Sequence, residues 1–191
     1  MKIVLGILGA AALMAAMALP ATAQQTWPFG GLNFPARDGW CPTFLGDSME
    51  VRRCGTDFPY LSVTIAAPAP PAGQVYNVEE IASGGAAQME APGGPALFAD
   101  IMQNAYGKCS GDELEVLRNP VPGVSGFTIV GALSCAKGDA APQLIDFRNF
   151  SGFVKDPSGG VWVVSYDYPQ TELGEEDIAL IQSIAATIAR K

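Results

Sequence analysis

The sequence contains no histidine among its 191 residues. Histidine is the commonest metal ligand, and its ordinary pKa makes it the usual proton carrier near neutral pH. Its absence excludes histidine-dependent catalytic triads and weighs against metal-assisted chemistry. We therefore expect no metal ion and no cofactor.

Basic residues are also scarce, because 11 Lys and Arg stand against 19 Asp and Glu, which gives a net charge of −8. A chain this acidic repels nucleic-acid phosphates and anionic lipid headgroups. The composition therefore predicts no nucleic-acid partner and no membrane-surface partner.

Long apolar runs are absent except at the start of the chain, where Lys2 precedes an uncharged stretch from Ile3 to Leu19. The small residues Ala21, Thr22 and Ala23 follow it. This arrangement is typical of a secretory signal peptide, residues 1–23, cleaved between Ala23 and Gln24. The sequence thus predicts a bacterial protein, periplasmic or secreted, that is not inserted in a membrane once the signal is removed.

Four cysteines are present, but neither a C-x-x-C redox pair nor a haem-attachment motif occurs. Cysteines of an exported chain meet an oxidising environment, so two structural disulfides are expected. Of the three connectivities, we favour Cys41–Cys54 and Cys109–Cys135, because each encloses a short segment. The second pairing also fits a hairpin in which "GFTIVGALSCA" returns antiparallel to "ELEVLRN".

The segment 24–39, "QQTWPFGGLNFPARDG", has proline or glycine every few residues and predicts an irregular N-terminal arm that packs through its aromatic residues. Residues 40–191 are expected to form a single domain. Within it, "MEVRRC" and "YLSVTIAA" are strand-like, and "PAPPAG" at 68–73 is a stiff connector.

Residues 74–94 are ambiguous between a helix and a strand that runs into a loop. The segment 95–107 predicts a helix that starts at Pro95 and stops at Gly107. "ELEVLRN", "GFTIVGALSCA", "QLIDFRNFSGFV" and "GVWVVSYDY" follow as four strands of a meander, and 172–190 is a closing helix. The predicted fold is α+β, an antiparallel sheet covered by helices.

Two short motifs suggest a serine nucleophile. "LGDSM" places Ser48 as in GDS-type esterases, and "SCAK" spaces Ser134 and Lys137 as in penicillin-recognising enzymes. The first chemistry requires a histidine base, and the second requires a helix where a strand is predicted. We interpret both motifs as coincidental, and we predict no catalytic residue.

Glycoside hydrolysis needs only carboxylates, and five are available: Asp100, Glu113, Glu115, Asp146 and Asp167. Most carboxylates of an acidic protein lie on the solvated surface. Trp40, Trp162, Tyr166 and Tyr168 could line a ligand groove, although Trp162 within "GVWVV" fits a core position better. The segments "SGDELE" and "KDPSGG" could be taken for calcium-binding loops, but we interpret both as hairpin turns.

The order of elements, with "GFTIVGALSC" and "FRNFSGFVKDPSGGVWVVSYDYP" as hairpins that lead into "DIALIQSIAATIA", resembles the PsbP-like fold. The resemblance covers roughly residues 40 to 190. It implies an α/β/α sandwich with one helix inserted midway and one at the end. It also implies a family with no shared active site that serves in extracytoplasmic binding, assembly and adaptor roles.

Two functions are compatible with these observations. The first is an exported, non-catalytic binding, assembly or adaptor protein with a protein partner in the envelope. The alternative is a small carboxylate-dependent hydrolase of envelope polymers.

Overall fold

The computed structural model describes residues 25–56, 60–111, 114–136, 138–168 and 173–190. The predicted signal peptide and its cleavage site lie outside these residues. The described elements are β1 (Thr26–Phe29), β2 (Leu32–Pro35), β3 (Trp40–Leu45), β4 (Ser48–Arg53), β5 (Tyr60–Ala67), α1 (Val78–Glu90), α2 (Gly94–Tyr106), β6 (Lys108–Ser110), β7 (Leu114–Arg118), β8 (Ser125–Ala136), β9 (Gln143–Lys155), β10 (Val161–Asp167) and α3 (Glu175–Ala189).

Strands β3 to β10 form one antiparallel sheet in the order β3-β4-β5-β10-β9-β8, and β6 and β7 both pair with β8. Helices pack on both sides, so the α+β prediction is confirmed. No helix among the described residues is long and apolar enough to cross a membrane.

One side of the sheet, the α3 face, carries the larger core. Alternate strand residues such as Leu61, Val164 and Phe150 are buried there, as period-two alternation requires. Helix α3 supplies Ile181 and Ile184 to the same core cluster. This half of the fold thus follows from apolar alternation in the strands and an apolar stripe on the last helix.

The segment predicted as an irregular arm is instead a hairpin, because β1 and β2 pair with each other. Its turn is the glycine pair Gly30–Gly31, and both glycines have positive φ. The Phe29 ring meets Trp162 edge-on, with the ring centroids 5.9 Å apart. Burial of its aromatic residues against the α3 face gives this short hairpin the stability that two strands lack alone. The aromatic packing that the sequence predicted is confirmed.

The ambiguous segment 74–94 contains helix α1. Its N-terminus is capped by Asn77, whose side chain accepts hydrogen bonds from the backbone N–H groups of Glu79 and Glu80. Gly85 lies against the Phe127 ring, and a Cβ there would come within 2.8 Å of that ring. The glycine that lowers helix propensity therefore permits close packing of α1 on β8.

Both disulfides have the predicted pairing. Cys109 and Cys135 are opposite each other on β6 and β8, with 4.1 Å between their Cα atoms. Cys41 and Cys54 close the β3–β4 hairpin, with a Cα separation of 5.1 Å. The second bond fixes the open end of the β3–β4 hairpin, and the first links the middle pair of the three-residue β6–β8 ladder.

Candidate functional site: a polar face of the sheet

The side of the sheet opposite α3 is covered over only part of its width. Helices α1 and α2 pack mainly against β6, β7, β8 and β9. Phe98 of α2, for example, stacks on Phe147 of β9 at a centroid distance of 4.4 Å. Among the described residues, the same side of β4, β5 and β10 lacks such helical cover.

Strand register aligns the side chains of this uncovered region in two rows. The first row is Arg52, Tyr60, Asp167 and Asn149, one residue from each of β4, β5, β10 and β9. The second row is Thr43, Glu50, Ser62, Ser165 and Ser151, which begins on β3. We call these two rows the polar face. All nine side chains are hydroxyl, amide, carboxyl or guanidinium groups, and most are half-buried.

Asp167 is a half-buried carboxylic acid within the polar face. Its carboxylate accepts a hydrogen bond from Asn149 Nδ2 at 2.5 Å, and Asn149 Oδ1 in turn accepts one from the Ser151 hydroxyl at 3.0 Å. Burial raises the pKa of Asp167, and the hydrogen bond from Asn149 opposes this rise only in part. The three side chains form a chain of hydrogen bonds across β9 and β10.

Tyr60 is the neighbour of Asp167 on β5, and it connects the first row to Glu50 of the second row. Burial raises the pKa of its phenol, and the Glu50 carboxylate that accepts the phenol's hydrogen bond adds to the rise. The Arg52 guanidinium lies over the Tyr60 ring, 5.0 Å from its centroid, and its Nη2 is 3.3 Å from Glu50 Oε2. Tyr60 is therefore held as a neutral phenol in a fixed position.

The polar face offers donors and acceptors in close alternation. Hydroxyl and amide groups can do both, and a carboxyl with a raised pKa can donate as well as accept. No cluster of His, Cys, Asp or Glu suited to a metal ion occurs among the described residues. The arrangement is therefore suited to a hydroxyl-rich or amide-rich ligand.

The serine motifs are not assembled into catalytic sites. The Ser48 hydroxyl lies 3.5 Å from the Leu45 carbonyl oxygen in the β3–β4 turn. Ser134 lies in strand β8, so no helix spaces it from Lys137, which itself lies outside the described residues.

Of the four described carboxylates among those considered from the sequence, only Asp167 belongs to the polar face. Asp100, Glu115 and Asp146 are exposed, and Glu113 lies outside the described residues. Glu50 was missed, because "MEVRRC" indicates a strand but not which side of it remains uncovered. Alternation of Ser62 and Thr64 in "YLSVTIAA" is the signal that could have indicated a polar side.

The four aromatic residues considered as groove-lining are core residues instead. Trp40, Trp162, Tyr166 and Tyr168 are all buried on the α3 face. The Trp162 indole N–H donates to Asp156 at 3.2 Å. Asp156 also accepts from the Gly160 N–H and the Ser158 hydroxyl, so "KDPSGG" is a side-chain-stabilised hairpin turn, as predicted.

A cleft of about 590 Å³ lies between α1 and the β7–β8 turn. Arg118 borders it, but its guanidinium is held by Glu90 through Nε at 3.2 Å and Nη2 at 2.6 Å. A third nitrogen lies 3.4 Å from the Ser83 hydroxyl. These contacts tie β7 to α1 and occupy the Arg118 guanidinium.

The polar face thus stands as the candidate site on its own geometry. No protein-family model matches the sequence, and no curated protein is significantly similar to it.

Proposed function

We propose that this chain is an exported, non-catalytic binding protein of the bacterial envelope, and that the polar face is its ligand-binding surface. The observation that carries the proposal is the row Arg52, Tyr60, Asp167 and Asn149, aligned in register on a part of the sheet that none of the described helices covers. Half-buried polar groups that are already held in place lose little side-chain entropy when a ligand binds.

The expected compartment agrees with the covalent structure. Two disulfides link all four cysteines, and such bonds persist in oxidising compartments. Together with the predicted signal peptide, they support export to the periplasm or the medium. The PsbP-like resemblance, with its binding and adaptor roles, remains part of the same proposal.

Retention of envelope material by the immobilised protein tests this function. The wild-type protein should retain a component of an envelope extract, and Ser62→Ala/Ser165→Ala should retain less than a tenth as much. These substitutions remove two neighbouring hydroxyls of the polar face without adding bulk. Ser134→Ala, a half-buried serine on the α3 side of β8, is the matched control. Equal retention by the wild-type protein and the double variant would refute the proposal.

The alternative, a carboxylate-dependent hydrolase, is favoured by one observation. Asp167, whose pKa burial raises, lies beside Tyr60, which is hydrogen-bonded to Glu50. Two carboxylates in different environments are the usual requirement for acid and base roles. Hydrolysis of an envelope glycan that Asp167→Asn abolishes would establish this function, whereas binding without product formation would exclude it.

A further inference from the structure

The geometry of the polar face points to one class of ligand: we infer that it binds an extended, uncharged glycan that lies across the strands. This inference rests on the proposed function and names its ligand. It changes the expected partner from a protein to a polysaccharide.

The spacing of the first row carries the inference. Neighbouring strands lie about 4.8 Å apart, which is close to the length of one sugar residue in an extended glycan. Arg52, Tyr60, Asp167 and Asn149 occupy four successive strands in register. A glycan that crosses the strands would meet one polar side chain per sugar residue.

The second row lies on the same side of the sheet, two residues away from the first row on each strand. Ser62, Ser165 and Ser151 occupy β5, β10 and β9 there, and Glu50 precedes them on β4. Side chains on one side of a strand recur every two residues, about 6.6 Å apart. The two rows can therefore contact opposite edges of the same sugar chain, which presents hydroxyl groups along both edges.

Charge selects against acidic glycans. The polar face contains two carboxyl groups, Glu50 and Asp167, and a single cation, Arg52, which is already paired with Glu50. The whole chain has a net charge of −8. A polyuronate would be repelled at long range, whereas an uncharged chain would not.

The hydrogen-bonding capacity fits hydroxyl groups rather than an extended peptide. The main chain of β5, β10 and β9 is already paired on both sides within the sheet. A peptide lying on the face could not add to the ladder and would leave its own backbone groups to be satisfied by side chains. Serine and asparagine side chains can donate to and accept from each sugar hydroxyl.

The test uses chito-oligosaccharides of two to six residues as uncharged probes and oligogalacturonates of the same lengths as charged ones. Calorimetry with the mature, disulfide-bonded protein should show affinity that rises up to four residues and then levels off. The galacturonates should bind at least tenfold more weakly. Ser62→Ala/Ser165→Ala should weaken chito-oligosaccharide binding at least tenfold, and Ser134→Ala should leave it unchanged.

A second variant separates loss of contact from loss of fold. Asn149→Ala should weaken the same binding, while Asp146→Ala, an exposed position three residues earlier in β9, should not; circular dichroism monitors the fold of both. No binding of the chito-oligosaccharides, or tighter binding of galacturonates, would overturn the glycan assignment. If envelope retention still depends on Ser62 and Ser165 in that case, and the retained material is protein, the proposed function stands with a different ligand.

Discussion

Asn149 donates a hydrogen bond to Asp167 across the β9–β10 ladder, and the two residues are direct register partners. The bond holds a half-buried carboxyl whose pKa burial raises above its ordinary value of 3.8. When the pKa of an acid is higher in the folded state than in the unfolded state, protonation of that acid favours folding. This contribution to stability is lost as pH rises through the folded-state pKa.

Asp167→Asn should therefore become progressively more stable than the wild-type protein as pH rises from about 3 to 7, because the amide cannot ionise. Urea unfolding at several pH values measures this difference. A wild-type advantage that grows with pH would mean that the charged form of Asp167 is the stabilised one.

The hairpin turn at Gly30 and Gly31 offers a matched pair of substitutions. Both glycines have positive φ, so alanine at either position costs about 1 kcal/mol in backbone strain. A Cβ on Gly30 would also clash with Trp162 Cη2, whereas nothing lies within 4 Å of one on Gly31. Overpacking should add about 1 to 3 kcal/mol to Gly30→Ala alone. Denaturant unfolding should give a much lower free energy of unfolding for Gly30→Ala than for Gly31→Ala. Equal losses of stability in the two variants would show that the hairpin does not pack on Trp162.

Arg37 joins the segment after the hairpin to the start of α3. Its Nη1 lies 3.0 Å from Asp177 Oδ1, and its guanidinium lies 5.3 Å from the Trp40 ring centroid. Arg37→Ala removes these two contacts and the ion pair of Arg37 with the exposed Glu176, and it leaves a mostly covered Asp177 carboxylate beside Tyr166, so it should cost about 1 to 2 kcal/mol. Arg190→Ala, which removes one exposed hydrogen bond to the Ala186 carbonyl at the other end of α3, should cost less, about 0.5 kcal/mol. Equal unfolding midpoints for the two variants would contradict this role of Arg37.

The two disulfides should contribute unequally. Cys109–Cys135 spans 26 positions and Cys41–Cys54 spans 13, so the longer loop restricts the unfolded chain by about 0.6 kcal/mol more. Cys135 is also buried, whereas Cys41 and Cys54 are exposed. Paired substitution by alanine should cost about 2 to 5 kcal/mol at each bond, with the greater loss at Cys109 and Cys135. Thermal unfolding measures both, and a greater loss at Cys41 and Cys54 would be inconsistent with this account.

Much of the fold could be predicted from the sequence because its signals are local. Alternation in "YLSVTIAA" predicts β5 with the bounds that the structure has, and the apolar stripe of 172–190 predicts α3. The hairpin β1–β2 could not be predicted, because its stability comes from contact with Trp162, more than 120 positions away in the sequence. Helix α1 was ambiguous because Gly84 and Gly85 oppose helix formation until packing on Phe127 favours it.

The polar face depends on information that no single strand contains. Ser62 lies on the polar side of an alternating strand, and that much is readable locally. Ser165 and Asn149 share their sides of β10 and β9 with Val163 and Phe147, so neither strand indicates a polar side by itself. Their alignment requires the order β5-β10-β9, in which two strands separated by about 100 residues become neighbours. Within the described part of the chain, the absence of helical cover over this side of β4, β5 and β10 is likewise decided by where α1 and α2 dock.

Nuclear magnetic resonance mapping of chitotetraose on the labelled mature protein tests the central claim most directly. The account predicts amide shifts concentrated in β4, β5, β10 and the middle of β9, with β6 and α3 unaffected. Shifts centred on the cleft between α1 and the β7–β8 turn, or no shifts at millimolar sugar, would contradict a glycan-binding polar face.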